Sequence, residues 1–591
     1  MENPYRWIWQ YARRSRWQIW LASGLIILNA VSVVVVPLIG GLLVDQVITQ
    51  RHLERLVPLL VTMVGVTLLR TIMRYGYIML WERVGQNALF DLRHDLFAKL
   101  QSLDYPFFTR VTNGDLMARL TGDTDAIRHF LCWVTYNTAE CLLWFLTAIV
   151  VMARISWPLT VALVLVTPLI GWLTTRMSRE AHQVFFNIRQ SFARLNAMVE
   201  ENISGNRVVR AFARESYEIH KFQQYNQDYR DQNMASAAVS RRYLPALDFL
   251  AACLAVIVLL FGSWLVIQRQ MTLGDLVAFN GFLWLLNQPM RMSGWLINDI
   301  QRFSAATIKI KSLLEAQPTL TPAQSQSAPA IQGAVRFEHV DFAFPDAPAV
   351  PVLMDIDFAV QPGQTVGILG ETGSGKTTLM NLIARFYDPT RGRVLVDGRD
   401  VRHWSEAALR NQITIVTQDL FLFSDSINDN INYGNPVATP AFIRRMATVA
   451  DAHDFITALA DGYDTVVGER GVGLSGGQKQ RISLTRALVK NPRILILDDT
   501  TSALDMETEA TIQRRLQAVT RHKTVFIIAS RIASLRQADQ ILVLRHGRIV
   551  ARGTHEQLIA QNGYYAETYR RQLGALTTTK GGRAHDHAEH G

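Results

Sequence analysis

Long apolar runs fill residues 1–300, and short ones alternate with polar stretches over 335–570. A bilayer crossing takes about 20 apolar residues. Six runs reach that length, at roughly 18–43, 57–81, 130–154, 157–178, 245–267 and 276–299. Short polar breaks follow the first, third and fifth. Long polar segments with helical periodicity follow the second and fourth. An even number of crossings puts both ends of the first half on one side, so the long segments read as helical extensions on that side. The pattern then changes. "AQPTLTPAQSQSAPAIQG", residues 316–333, has linker composition. Beyond it, "VRFEHVDFAF", "TVGILG", "ITIVTQ", "ILIL", "TVFIIAS" and "QILVL" alternate with helical stretches. Such alternation predicts an α/β domain with a parallel sheet. The expected boundaries are an amphipathic interfacial helix over 1–17, a six-helix transmembrane domain over 18–315, the linker, the α/β domain over 334–572, and a disordered polar tail over 573–591.

Composition sharpens this picture in three places. The 591 residues carry a net charge of +10. Arg6, Arg13, Arg14 and Arg16 precede the first apolar run, which places the N-terminus on the cytoplasmic side. No basic stripe runs along the soluble half, so nucleic acid is not an expected partner. Cys132, Cys141 and Cys253 all lie in apolar runs and read as buried, inert thiols. The N-terminal "PYRWIWQYARRSRWQIW" lacks the short apolar core of a cleavable signal peptide. The tail's three histidines read as solvated rather than metal-binding.

The chemistry lies in the second half. "GILGETGSGKTTL" follows a strand and opens a helix, with G-x-x-x-x-G-K-[ST] running from Gly370 to Thr377. Its segment Gly370, Glu371, Thr372, Gly373, Ser374, Gly375, Lys376, Thr377 and Thr378 forms a phosphate loop. Gly373 and Gly375 let backbone N–H groups turn inward. Lys376 neutralises phosphate charge, and the Thr377 hydroxyl is an Mg²⁺ ligand. "RILILDD" ends an apolar strand on Asp498, whose carboxylate holds the Mg²⁺ shell. "LSGGQKQR" sets Leu474, Ser475, Gly476, Gly477 and Gln478 ahead of a helix, a receptor for an anion. ATP with Mg²⁺ is the expected cofactor pair.

With these segments the chain resembles an ATP-binding cassette exporter of the half-transporter kind. The likeness runs from about residue 15 to 572. It assigns Gln418 in "VTQDLFLF" to the Q-loop, with an Mg²⁺ role, Glu469 in "TVVGERG" to the X-loop, and Asp505 in "SALD" to the D-loop. Phe344 stands at the adenine-stacking aromatic, without the hydroxyl of the commoner Tyr. Residues 107–128 and 201–215 resemble the turns that hold coupling helices, with Gly114 and Gly205 at the breaks.

Two positions depart from the family. The strand ending on Asp498 is normally followed by Glu, which orients the attacking water. Here that position is Asp499, one methylene shorter. The switch His aligns with Ser530, and Arg531 after it keeps the register. The resemblance therefore implies an own site that binds ATP and hydrolyses it slowly. Sites in this family form between two chains, and this chain's signature is intact. A heterodimer with an unlike half-transporter is the expected assembly, and a homodimer with two slow sites is the alternative.

The cargo is less legible. Trp133, Trp144, Trp172, Phe282, Trp284, Met290, Met292 and Trp295 suit either an adaptable apolar cavity or aromatic belts. Trp284, Met290, Trp295 and Glu140 are the candidate substrate-path residues. Glu140, inside the third apolar run, either faces the path or pairs with a polar neighbour. Efflux of hydrophobic or amphipathic compounds across a bacterial cytoplasmic membrane is the expected function. Lipid or peptide export is the runner-up, and an ATP-gated regulator or channel is the reading from another class.

Overall fold

The computed structural model describes residues 4–320, 330–468, 471–500 and 504–581. The chain divides into two units: Met1–Ser102 with Thr112–Ala316, and Leu103–Val111 with Gln317–Gly591.

The first unit is helical. Five stretches among the described residues are long and apolar enough to cross a membrane: Pro4–Thr49, Leu53–Ser102, Asn113–Ile155, Trp157–Ser204 and Glu215–Ile267. Each contains one predicted run and extends beyond it. The helix Leu56–Ser102 shows why it packs on one face. Met73, Tyr77, Trp81, Val84, Ala88, Leu92, Leu96 and Leu100 recur three or four residues apart, and all are buried. The sixth predicted run lies in the helix Leu273–Leu314, which is not among the five. Asn280, Asn287, Gln288 and Arg291 dilute its hydropathy. Phe279, Phe282, Leu285 and Leu286 are fully buried in the surrounding helices. Asn280 and Arg291 are exposed and Asn287 and Gln288 half-buried, so these polar groups lie off the buried face.

The N-terminal helix Pro4–Ala12 buries Ile8 and Tyr11 and leaves Trp9 exposed. It is pinned to the second stretch by Tyr11, whose hydroxyl donates to Asp95 at 3.1 Å. An Arg14–Asp91 ion pair at 2.5 Å adds to this. The cysteines are unpaired; Cys132 and Cys141 are buried and Cys253 half-buried.

The second unit holds two sheets. The strands are β1 (Val335–Ala343), β2 (Pro351–Val360), β3 (Thr365–Gly370), β4 (Arg391–Val396), β5 (Arg399–Asp400), β6 (Ile413–Val416), β7 (Ile494–Asp498), β8 (Thr524–Ile528), β9 (Gln540–Arg545) and β10 (Arg548–Gly553). An antiparallel sheet runs β2-β1-β4-β5, and a larger one runs β10-β9-β3-β8-β7-β6. In the larger sheet β9, β3, β8, β7 and β6 are parallel, and β10 is an antiparallel edge. β7 is buried at every residue, as expected of a central parallel strand covered on both faces. Parallel strands present their C-terminal ends together, and those ends form the usual ligand crevice of an open α/β sheet.

Two segments depart from the sequence reading. Leu103–Val111 belongs to the α/β unit. Asp104 explains part of this: its Oδ2 accepts from the Thr319 N–H at 2.5 Å, the Thr319 hydroxyl at 2.7 Å and the Leu320 N–H at 2.9 Å. The tail is helical further than expected. The helix Tyr564–Gly581 continues regular backbone nine residues past Gln572, because a formed helix adds residues at little cost. The tail histidines lie outside the described residues.

Candidate functional site

β3 ends on Gly370, and the loop to the helix Lys376–Ile383 follows at once. Gly373 (φ +80°) and Gly375 (φ +99°) take left-handed conformations that favour glycine. A Cβ on Gly375 would also press on the Leu353 side chain at 2.7 Å and the Val352 carbonyl at 3.2 Å. The Lys376 ammonium donates to the Gly370 carbonyl at 2.9 Å and the Glu371 carbonyl at 2.7 Å, bending over the loop. Ser374 is 3% exposed, and its Oγ has no hydrogen-bond partner. A buried hydroxyl without a partner, inside a turn of inward amides, suits a phosphate oxygen. Glu371 pairs with Arg545 at 3.2 Å, Thr372 is exposed, and Thr378 turns into the core.

β7 delivers the partner carboxylate. Asp498 closes the strand, is 3% exposed, and accepts from the Thr377 hydroxyl at 2.7 Å. Burial pushes its carboxyl above the ordinary range, against the Thr377 hydrogen bond and the charge of Lys376. Burial also lowers Lys376, while Asp498 and Asp499 pull it back up. Bound phosphate would relieve that burial penalty on the ammonium. Thr377 and Asp498 thus fit an Mg²⁺ ion carried by nucleotide, which would neutralise phosphate charge. Gln418, third of the expected Mg²⁺ residues, is exposed in the loop after β6 and makes no hydrogen bond among the described residues.

Asp499 sits differently. Its φ is +48°, a left-handed conformation costly for a residue with a Cβ, and its N–H donates to the Ile528 carbonyl at 2.9 Å. The Ser530 hydroxyl donates to Asp499 Oδ1 at 3.3 Å. The two departures from the family pattern therefore touch each other. Ser530 is fixed in turn by Gln572, which donates to its carbonyl at 2.9 Å. The next residue, Arg531, pairs with buried Glu509 at 3.0 Å.

The other described motif residues take their side-chain partners outside this corner. Ser475 is the N-cap of the helix Gly476–Val489: its hydroxyl accepts from the Gln478 N–H at 3.2 Å, and the Gln478 side chain accepts from the Ser475 N–H at 2.9 Å. That capping box leaves Gly476 and Gly477 in the first turn, with Leu474 half-buried before it. The signature bonds within its own helix start and not to the phosphate loop. Asp505 caps the helix Met506–Thr520 by accepting from the Thr508 N–H at 3.0 Å, which holds its carboxyl below the ordinary range. Phe344 follows β1 and meets Phe342 and Tyr387 edge-on, at 5.1 and 5.4 Å between ring centres. Tyr387 also meets Tyr105 of the Leu103–Val111 segment at 5.8 Å. Glu469 lies outside the described residues.

In the helical unit, Glu140 is 2% exposed and accepts from the Tyr77 hydroxyl at 2.6 Å. Arg70 and Arg74, four residues apart on the Tyr77 helix, act electrostatically on the same carboxylate. Sequence reading passed over both arginines, which sit inside the second apolar run; the signal was two cations one turn apart in a predicted crossing. Of the other substrate-path candidates, Trp284 packs edge-on against Trp144 at 5.2 Å and Met290 is half-buried against the helical core. Trp295 is 73% exposed.

Comparison with known proteins agrees with this architecture. The ABC transporter transmembrane region matches residues 19–290, and the ABC transporter family matches 353–502. The chain is similar to the multidrug resistance-like ATP-binding protein MdlA of Escherichia coli, 34% identical over 95% of each chain. It is similar to the ATP-dependent lipid A-core flippase of Syntrophus aciditrophicus, 33% identical over 90% of this chain and 88% of that one. Among solved structures it resembles a bacterial Atm1-family ABC exporter with ATP bound, with a TM-score of 0.79, 29% identity, and coverage of 95% and 99%. The chain is a membrane protein with an ABC-type ATPase unit, and it belongs to the ABC transporter family.

Proposed function

We propose that this chain is one half of a heterodimeric exporter that drives hydrophobic or amphipathic compounds out across a bacterial cytoplasmic membrane, and that its own Walker site grips ATP–Mg²⁺ and hydrolyses it slowly. In this reading the helix Leu273–Leu314 is the sixth crossing. The N-terminus and the α/β unit are cytoplasmic, with domain limits at 18–315 and 334–572 joined by the linker. Thr377, Asp498 and Gln418 hold Mg²⁺, and Phe344 stacks on adenine. Leu474 to Gln478 complete the site of the partner chain.

The observation that carries the slow-site reading is the Ser530–Asp499 contact at 3.3 Å. A general base must reach the water it activates, and one methylene less of reach, with a serine hydroxyl on one oxygen, works against that. An imidazole at position 530 could stabilise transition-state charge; a hydroxyl that already donates to Asp499 offers far less. Lys376, Thr377 and Asp498 are all present, so grip is separable from turnover. ABC exporters act as dimers in a lipid membrane. The second turn of this chain supports a docking role, since Ile203, Val208 and Phe212 expose 72%, 61% and 73% of their surface.

For the cargo, the names of the relatives point to multidrug and lipid substrates alike. The buried Glu140–Tyr77 pair supports the structural role of that carboxylate over a free cation-selecting one. ATPase rates decide the assembly. The chain purified alone should hydrolyse ATP at least about tenfold more slowly than the chain with a half-transporter that carries Glu and His at these two positions. Equal rates would favour the homodimer.

A further inference from the structure

The phosphate loop uses the C-terminal ends of the parallel strands. The opposite ends of β7 and β8 hold a second collection of cations. Arg493 directly precedes β7, and Arg521, His522 and Lys523 directly precede β8. Because the two strands pair in register from Ile494 and Thr524, the two sequence segments meet. Together with Gln412 and Asn491 they line an open cavity of about 490 Å³. No Asp or Glu lines it.

The charges there are uncompensated. Arg493, Arg521 and His522 make no side-chain hydrogen bond or ion pair among the described residues. Lys523 has one polar contact, donating to Asn491 Oδ1 at 2.7 Å. Burial and the neighbouring Arg493 push the Lys523 ammonium down to about 8. Like charges gathered around a concave, partly desolvated surface cost energy that a bound anion returns. A cavity of this size takes a small molecule rather than a nucleic-acid duplex.

We infer that the cavity formed by Arg493, Arg521, His522 and Lys523 binds a small phosphate-bearing anion, at a site separate from the ATP site. β7 is five residues long, so the two sites lie at least about 15 Å apart along the strand direction at about 3.3 Å per residue. The guanidinium planes of Arg493 and Arg521 supply bidentate contacts to phosphate oxygens. Lys523 supplies the point charge and Asn491 its anchor. The sequence hides this cluster because its halves stand some thirty residues apart.

The test uses the full chain in lipid nanodiscs, with inorganic tripolyphosphate as the probe and calorimetry as the readout. The Lys376→Ala variant removes competition from the phosphate loop. It should still bind one tripolyphosphate per chain. Adding Arg493→Ala and Arg521→Ala should weaken that binding at least about tenfold, while ATP binding by the double variant with Lys376 restored stays within about twofold of the parent. Both arginines are exposed, so folding is not at stake, and retained ATP binding verifies it. In ¹³C-methylated protein, the Lys523 resonance should titrate near pH 8 alone and at higher pH with tripolyphosphate present. Loss of all binding in Lys376→Ala would overturn the inference. So would undiminished binding after both arginines are removed, which would mark the attraction as general to a basic surface.

Discussion

Two corners of the same crevice, one residue apart at the end of β7, are built to different standards. Around Asp498 the chain brings together a buried carboxylate, the Thr377 hydroxyl at 2.7 Å, and an ammonium bent over a glycine turn, while Gln418 stays apart. Around Asp499 the chain has a shorter acid in a left-handed conformation with a serine as neighbour. In the proposed reading the first corner grips nucleotide and the second would activate water. Binding and turnover would then rest on separate side chains even where the backbone joins them, so that one could be weakened while the other stays whole.

The widest separation between the corners should come from Lys376→Ala. It removes the charge that faces phosphate and should weaken ATP binding by about 100-fold, the value of one charge-assisted contact set near 3 kcal/mol. Ser530→Ala, at the other corner, should leave that affinity within about twofold. Equilibrium binding of a fluorescent ATP analogue compares the two, and equal losses would erase the distinction. Thr377→Ala comes next. It should cost about tenfold in affinity with Mg²⁺ and almost nothing when the metal is chelated. A loss independent of metal would place Thr377 in packing rather than at the ion.

Smaller effects sharpen the contrast between the membrane unit and the nucleotide unit. Tyr77→Phe deprives buried Glu140 of its donor and should cost about 2 kcal/mol, read as a lower unfolding midpoint in detergent. Glu140→Gln keeps an acceptor for Tyr77 and should cost less. If Glu140→Gln instead abolished export with stability unchanged, the carboxylate would belong to the transport path. Ser475→Ala removes an N-cap and should cost about 1 kcal/mol locally, seen as faster amide exchange at Gly476–Gln478. No change there would mean that the capping box contributes nothing in solution.

Contiguous motifs were legible because the backbone does their work. Gly373, Gly375 and Lys376 occupy one turn, and Asp498 ends a run of four apolar residues. Contacts between distant segments were not. Nothing in one dimension joins Ser530 to Asp499, or Arg493 to Lys523; the parallel register of β7 and β8 does so. Averaging hid Arg70 and Arg74, whose apolar neighbours outweigh two charges in any window of a crossing's length. It works the other way at 276–299, where Asn280, Asn287, Gln288 and Arg291 pull the helix Leu273–Leu314 below the level of the five other stretches although Phe279, Phe282, Leu285 and Leu286 are buried. The caps at Ser475 and Asp505 are a further case. Each was read for its place in a family motif, yet each also has the side chain and spacing of a helix start.

The most direct test measures single-turnover hydrolysis by the chain alone, with ATP binding measured on the same sample. Asp499→Glu with Ser530→His should raise the hydrolysis rate by about 100-fold, within the usual contribution of a positioned general base, at unchanged affinity. A wild-type chain that already hydrolyses ATP as fast as that double variant would contradict the account.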